Sequence, residues 1–317
     1  MKNRKKYKII KALISLIVLC IIIPFTLGAI VYEHTFNERI ETSEKRFMQI
    51  YDFKGLASEE CTFLSKKGLK LTGYKLYNEE FGSSFDEAAH NSPAIVILAH
   101  GMGPGGFNSY MESAYWFTSH GYAVFSYDAT GTDKSEGSDM EGIPEGVADL
   151  SKAIEYIEGI EEYKNIPIVL FGHSWGAYSV TNVLNEHPEV RAVASLAGWN
   201  KSSDIVLARG AEVIGEPLMK IELPFIEFYE RIKFGKIANY TSLGGFEKSK
   251  AGVLIAHSSD DKSVPMEYGF EKYYSKYSND NRFIFVKYEN IGHNGVCNPA
   301  NTELYSKIDE MYRKYAR

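Results

Sequence analysis

Gly172-His173-Ser174-Trp175-Gly176 sets a serine between two glycines, one residue away on either side, a spacing that suits a reactive hydroxyl on a tight turn. The preceding run, Ile166 to Phe171, is apolar, β-branched and short enough to be a strand buried on both faces. The residues that follow carry Val180, Val183 and Leu184 at helical spacing. A strand, a sharp corner and a helix force strained backbone angles on Ser174 and leave its hydroxyl at a helix N-terminus. Orphan N–H groups and the helix dipole favour developing negative charge there, so the expected chemistry is nucleophilic attack by Ser174 Oγ. Gly172 and Gly176, lacking Cβ atoms, let the strand and the helix pass close together beside it.

A serine nucleophile needs a base, and the base needs a group that orients it. Of the eight histidines, His293 alone lies in a late, glycine-flanked loop, Gly292-His293-Asn294-Gly295, after an apolar strand from Phe283 to Tyr288. His100 and His173 flank loops and read as structural, His34, His90, His120 and His187 read as solvated, and His257 ends a strand. That strand, Val253 to His257, runs into Ser258-Ser259-Asp260-Asp261, which offers two acids. Either would stand between Ser174 and His293 in the chain, and a triad is defined by geometry rather than by position.

A second glycine loop, His100-Gly101-Met102-Gly103-Pro104-Gly105-Gly106, follows the short strand Ala94 to Ala99. Gly101-x-Gly103-x-x-Gly106 matches a dinucleotide-binding pattern, with Asp128 near the place of a ribose-binding acid. Pro104, however, removes a backbone donor from a loop meant to cradle phosphates. The other reading is an oxyanion loop, with the Met102 N–H as one donor and the Trp175 N–H, directly after the serine, as the other. Each such donor is worth about 3 kcal/mol in a tetrahedral transition state.

The 317 residues suit one large α/β domain with additions, and 44% hydrophobic and 24% charged residues are ordinary globular values. Cys20, Cys61 and Cys297 show no metal-ligand spacing, and spacing alone establishes no Cys61–Cys297 bridge. The net charge is −6, but Lys2, Arg4, Lys5, Lys6, Lys8 and Lys11 account for six of the 35 basic residues, leaving 29 against 41 acids. An acidic body argues against a nucleic-acid surface.

Residues 12–32 carry no charge over a length that matches the roughly 20 residues a helix needs to cross a hydrocarbon core. A secretory apolar region is shorter, about 7–15 residues, which favours a retained anchor. Cleavage after Ala29 and secretion is the alternative. The six cations of residues 1–11 then mark the cytoplasmic side, which leaves the rest of the chain outside. Residues 33–58 read as a polar connector, with weak periodicity at Ile40, Phe47 and Ile50, and residues 59–317 as the main domain. Within it, a strand pair turns at Lys67-Gly68, residues 81–93 read as a polar loop, and strands then alternate with helices. That alternation predicts an α/β fold, a mainly parallel sheet with helices on both faces.

Together these segments resemble the α/β-hydrolase superfamily, in particular its serine esterase and lipase-like branch. The likeness rests on His100-Gly101-Met102-Gly103, Asp128-x-x-Gly131-x-x-x-Ser135-x-Gly137, Gly172-His-Ser-Trp-Gly176, Asp261-x-x-Val-Pro265 and Gly292-His293. It implies Ser174 as nucleophile, His293 as base and Asp261 as the orienting acid, since in the family that acid stands three residues before Val-Pro. It also implies Met102 and Trp175 as oxyanion donors, acyl transfer from a small ester or acyl substrate, and no metal or organic cofactor. The family's loop after its third strand reads G-x-G-x-S; here Asp133 interrupts it at the second glycine. The insertion over residues 199–247, rich in Ile205, Val213, Leu218, Phe225, Phe228 and Ile232, resembles a helical cap. Its apolar side chains suit an acyl chain, or else simply seal the cap onto the body. A peptidase or thioesterase on the same triad, and a non-catalytic anchored binding module, are the other readings.

Overall fold

The computed structural model describes residues 2–42 and 48–317; Met1 and residues 43–47, which include Phe47 of the connector, lie outside the described residues. Eight strands make one sheet: β1 Leu56–Leu64, β2 Lys70–Asn78, β3 Ile95–Ala99, β4 Ala123–Tyr127, β5 Ile168–His173, β6 Ala192–Leu196, β7 Gly252–Ser258 and β8 Phe283–Tyr288. Their spatial order is β1-β2-β4-β3-β5-β6-β7-β8. β1 and β2 are antiparallel, β2 runs antiparallel to β4, and the remaining pairs are parallel.

Short β-branched runs form the central strands because both faces are covered, so alternate residues serve two different cores. Along β3, Ile95, Ile97 and Ala99 join one cluster while Val96 and Leu98 join the other. Before the sheet come α1 Lys2–Ile17 and α2 Ile23–Phe36, and between its strands lie α3 Phe85–Asn91, α4 Met111–Ser119, α5 Glu145–Glu158 and α6 Trp175–Asn182. The cap follows with α7 Ser202–Ile214, α8 Glu216–Phe234 and α9 Ser242–Lys248, and the chain ends through α10 Phe270–Tyr277, α11 Gly292–Gly295 and α12 Thr302–Tyr315. α3, α5, α6, α9 and α10 pack on one face of the sheet, and α4 and α12 on the other.

Four local expectations change. The polar loop over 81–93 contains α3, capped by Ser84, whose hydroxyl accepts from the Glu87 N–H, and held down by Phe85, Ala88 and Ala89. β5 extends to His173 because Gly172 and His173 pair with Ser195 and Leu196 of β6, so the corner falls on Ser174. The connector is no free tether: Ile40 bridges Thr132, and the Arg39 guanidinium donates to the carbonyls of Asp133, Ser135 and Gly137. Asp133 has φ 43°, the left-handed backbone for which the related pattern uses glycine, and its carboxylate accepts from Thr42. β1 also begins inside the expected connector, at Leu56.

α1 and α2 form one continuous helix through a π turn at Val18–Ile22. Pro24 offers no N–H, and the Ile23 N–H bonds the Val18 carbonyl five residues back. The stretch Arg4–Phe36 is long and apolar enough to cross a membrane. Its final turns are covered: Gly28 and Tyr32 are buried against α8.

Candidate active site

β3, β5, β7 and β8 run parallel, so the loops carrying Met102, Ser174, Asp261 and His293 emerge at one edge of the sheet. Ser174 has φ 57° and ψ −119°, a backbone that a side chain tolerates only where the surroundings impose it. They do: its N–H donates to the Leu196 carbonyl at 2.9 Å and its carbonyl accepts from the Tyr178 N–H at 3.0 Å. A Cβ on Gly176 would lie 2.0 Å from the Ala99 carbonyl oxygen, and one on Gly172 would lie 2.3 Å from the Gly176 oxygen. Neither position admits another residue, and this close passage is what the two glycines permit.

Asp261 reaches His293. Its Oδ2 accepts from His293 Nδ1 at 2.7 Å, and its Oδ1 accepts from the N–H groups of Ser263 at 2.7 Å and Val264 at 2.9 Å. Burial opposes its ionisation, but hydrogen bonds from His257 and His293 with the Val264 N–H outweigh that and hold the carboxyl well below the usual carboxylate range. Asp260 is exposed and does another job, accepting from Ser258 Oγ and, at 3.0 Å, from the Gly292 N–H beside His293. Ser174 Oγ makes no hydrogen bond among the described residues, so the contact between His293 and the serine is open in this state. In free enzymes such bonds are often long and tighten only with substrate.

The Met102 loop abuts the corner. A Cβ on Gly101 would lie 3.4 Å from Ser174 Cβ, so the loop passes beside Ser174 one residue before Met102, whose side chain is exposed. Trp175 opens α6, and its N–H belongs to the unpaired first turn. The Trp175 indole is buried and donates to the Ile143 carbonyl at 2.8 Å.

Sequence reasoning missed the role of His257, and it read His100 and His173 as structural without showing what they hold. His257, read only as a strand end, is buried, and its Nε2 lies 2.8 Å from the Val264 carbonyl and 3.2 Å from Asp261 Oδ2, making it a second imidazole on the acid. His173 joins the two loops: its Nε2 donates to the His293 carbonyl at 3.0 Å, and its Nδ1 accepts from the Tyr110 hydroxyl at 2.9 Å. Tyr110 in turn accepts from the Gly101 N–H at 3.0 Å. Burial, reinforced by the neighbouring His293, lowers His173 to about 3, so it stays neutral as this arrangement requires. His100 is likewise buried and neutral, bonding the Gly101 carbonyl and the Ala129 N–H. His187, expected in solvent, is buried and bonded to Ser151 and Glu189. Only the contacts themselves reveal these roles: His173 meets Tyr110 and His293 across the fold, and His257 turns back onto the loop that follows its own strand.

Other expectations resolve by placement. Asp128 is fully buried and accepts from the Tyr74 hydroxyl at 2.7 Å, so it offers no carboxylate to a ribose. Burial lifts it to about 6. All three cysteines are free: Cys61 lies on β1, and Cys297 is buried near Ser113. The apolar residues of the cap divide. Ile205 and Val206 pack toward the body and Met219 and Ile226 toward α2, Phe228 is partly exposed with its ring 5.7 Å from that of Phe25, and Val213, Leu218 and Ile232 face outward.

Residues 90–237 match the family model described as serine aminopeptidase, S33. Among solved structures, an esterase from Pyrococcus furiosus is similar at a TM-score of 0.66 and 18% identity, over 89% of this chain and 98% of that one. An acylaminoacyl peptidase from Pyrococcus horikoshii is similar at 0.60 and 18%, over 84% of this chain and 43% of that one. An acetyl xylan esterase from Paenibacillus sp. R4 is similar at 0.60 and 14%, over 84% and 87%. A comparison of the sequence with curated proteins finds no match.

Proposed function

We propose that this chain, a member of the α/β-hydrolase superfamily, is a membrane-anchored serine hydrolase that cleaves carboxylic esters through an acyl-Ser174 intermediate. The observation that carries the reading is the strained serine at φ 57°, set beside a loop whose His293 is hydrogen-bonded to a buried, ionised Asp261. When an ester enters, His293 Nε2 takes the Ser174 proton as Oγ forms its bond to the acyl carbon. The carbonyl oxygen becomes an oxyanion facing the Met102 and Trp175 N–H groups. Collapse breaks the bond to the leaving alkoxide, which receives the proton from His293 and departs as an alcohol. Water then gives its proton to His293 and attacks the acyl carbon, releasing the acid and restoring Ser174. Asp261 holds Nδ1–H throughout, which fixes the tautomer and leaves Nε2 free to accept. No step calls for a metal or an organic cofactor.

The proposed anchor is residues 12–32, inside the helix Arg4–Phe36, with the lysine-rich residues 1–11 in the cytoplasm and the hydrolase domain outside the membrane. A peptidase reading is favoured by one observation, the match of residues 90–237 to a serine aminopeptidase model. One experiment separates the readings. The full chain in detergent, with Ser174→Ala as control, is offered chromogenic esters of graded acyl length and aminoacyl anilides of equal chromophore, and is probed with a serine-directed phosphonate. Ester turnover lost in the variant supports the proposal, and anilide turnover alone moves the assignment to a peptidase. Equal rates in both proteins, or no turnover with no labelling, would falsify a Ser174 nucleophile.

A further inference from the structure

We infer that the α7–α8 hairpin of the cap is seated in the same lipid bilayer as the N-terminal helix, with Val213, Leu218 and Ile221 among the acyl chains. The inference rests on residues 12–32 being a membrane span. α2 and α8 lie side by side and run the same way: Ile21, Ile22 and Phe25 line a groove with Pro224, Phe225 and Phe228, and further on Glu33 meets Lys233. The stretch ahead of that groove, residues 12–20, rises only about 13 Å at 1.5 Å per residue, less than half of a roughly 30 Å hydrocarbon core. A span must therefore take in part of the segment that α8 covers. Whatever packs beside that segment goes into the bilayer with it.

The surface of α8 fits such a setting. Leu218, Ile221, Phe225, Phe228 and Ile232 recur at spacings of three and four and form one stripe along the helix, and all but the half-buried Phe225 are exposed. The opposite side carries Met219, Ile226 and Phe234, buried against Tyr32 and the rest of the cap. A helix lying on a soluble body needs one apolar face; this one has two. At the hairpin tip Val213 is 84% exposed, and the nearby charges are paired, Glu216 with Lys220 at 2.7 Å and Arg209 with Glu212 at 3.0 Å. Contiguous exposed apolar surface of this kind marks an interaction site, and continuity with a helix of spanning length selects lipid as the occupant.

The hairpin is also tied to the proposed catalytic edge. The Arg209 guanidinium of α7 donates to the Ser263 carbonyl at 2.7 Å, two residues beyond Asp261. A seated hairpin therefore holds the acid loop near the membrane surface, where an ester whose acyl chain lies in the bilayer would be presented.

The test uses the full chain in phosphatidylcholine nanodiscs with ordinary or brominated acyl chains. Tryptophan is added singly as Val213→Trp, Ile221→Trp and, in the anchor, Leu16→Trp, all exposed positions that accept a larger side chain. The three native tryptophans supply a constant background. The expected result is a loss of the added emission in brominated lipid at all three positions, with a blue shift relative to free tryptophan. Quenching at Leu16→Trp alone, with both hairpin tryptophans open to aqueous iodide, overturns the inference and leaves the anchor standing. No quenching at Leu16→Trp removes the span, and the hairpin inference with it.

Discussion

Two buried carboxylates, one in the sheet domain and one in the cap, are pushed in opposite directions. Asp261, at the carboxyl edge of the sheet, accepts from two backbone N–H groups and the His293 imidazole, has His257 Nε2 3.2 Å away, and stays ionised despite its burial. Glu230, inside the cap, accepts only from the hydroxyls of Tyr32 and Ser202, and burial lifts it to about 7. The difference lies in the donors: N–H groups fixed by the backbone and imidazoles favour a charge more than two neutral hydroxyls do. It extends to the surroundings. Around Ser174, strain and charge are held by several bonds each, whereas the hairpin carries large apolar side chains, Val213, Leu218 and Ile221 among them, that stay exposed. On the proposed reading, the first region is built for chemistry and specified from within, and the surface of the second is specified by the lipid outside it.

The largest test of that contrast is chemical. Ser174→Ala should lower kcat/KM for an ester by about 10⁵-fold or more, as loss of a nucleophile does in other serine hydrolases, with folding intact by circular dichroism. Val213→Ser, on the hairpin tip, should leave turnover of a soluble ester in detergent unchanged. Comparable losses from the two changes would erase the division between the regions. Next in size, Asp261→Asn should cost about 10⁴-fold in kcat by spoiling the His293 tautomer. Asp260→Asn keeps an oxygen to accept from the Gly292 N–H and loses only the charge on an exposed acid, so it should cost far less than Asp261→Asn. A reversal of that order would make Asp260 the orienting acid.

How far the sequence exposes each region follows the same division. The corner at Ser174 was legible because its requirements are local: a β-branched run, glycines on either side and helical spacing afterwards. Asp261 was legible only as one of two acids, since nothing in Asp260-Asp261 says which turns inward; the bond to His293 does. His173 was legible as structural but not in what it joins, since Tyr110 and His293 meet it only through the fold, and His257 was illegible because nothing in the four residues to Asp261 says that the loop turns back onto it. α3 went unseen because a seven-residue helix with three buried side chains is too short for a periodic signal. In the cap the apolar residues were plain but their directions were not, because a helix apolar on two faces gives no single stripe to read.

Stability sharpens the comparison at a smaller scale. Leu196, fully buried at the end of β6, should cost about 2–5 kcal/mol on truncation to alanine, because a close-packed layer cannot collapse into the cavity. Leu218→Ala, on the outward stripe of α8, should stay within about 0.5 kcal/mol in detergent unfolding by urea. A loss at Leu218 matching that at Leu196 would mean that the outward stripe packs against protein.

The smallest effect returns to the two carboxylates. An acid whose folded pKa is raised favours its neutral form in the folded state. The contribution of Glu230 is therefore most favourable below the unfolded value near 4.3, declines as pH rises to about 7 and is constant above that. Asp261 is depressed instead, so its contribution is present above the unfolded carboxylate value near 3.9 and fades only in stronger acid. Between pH 5 and pH 8, then, Glu230 titrates and Asp261 does not. Glu230→Gln keeps an oxygen to accept from Tyr32 and Ser202 but cannot ionise. Relative to the native chain it should be close to neutral at pH 5 and stabilising by on the order of 2 kcal/mol at pH 8, read as a rise in Tm at the higher pH only. A difference between the two proteins that is flat across this range would place Glu230 among the ionised carboxylates and remove the contrast with Asp261.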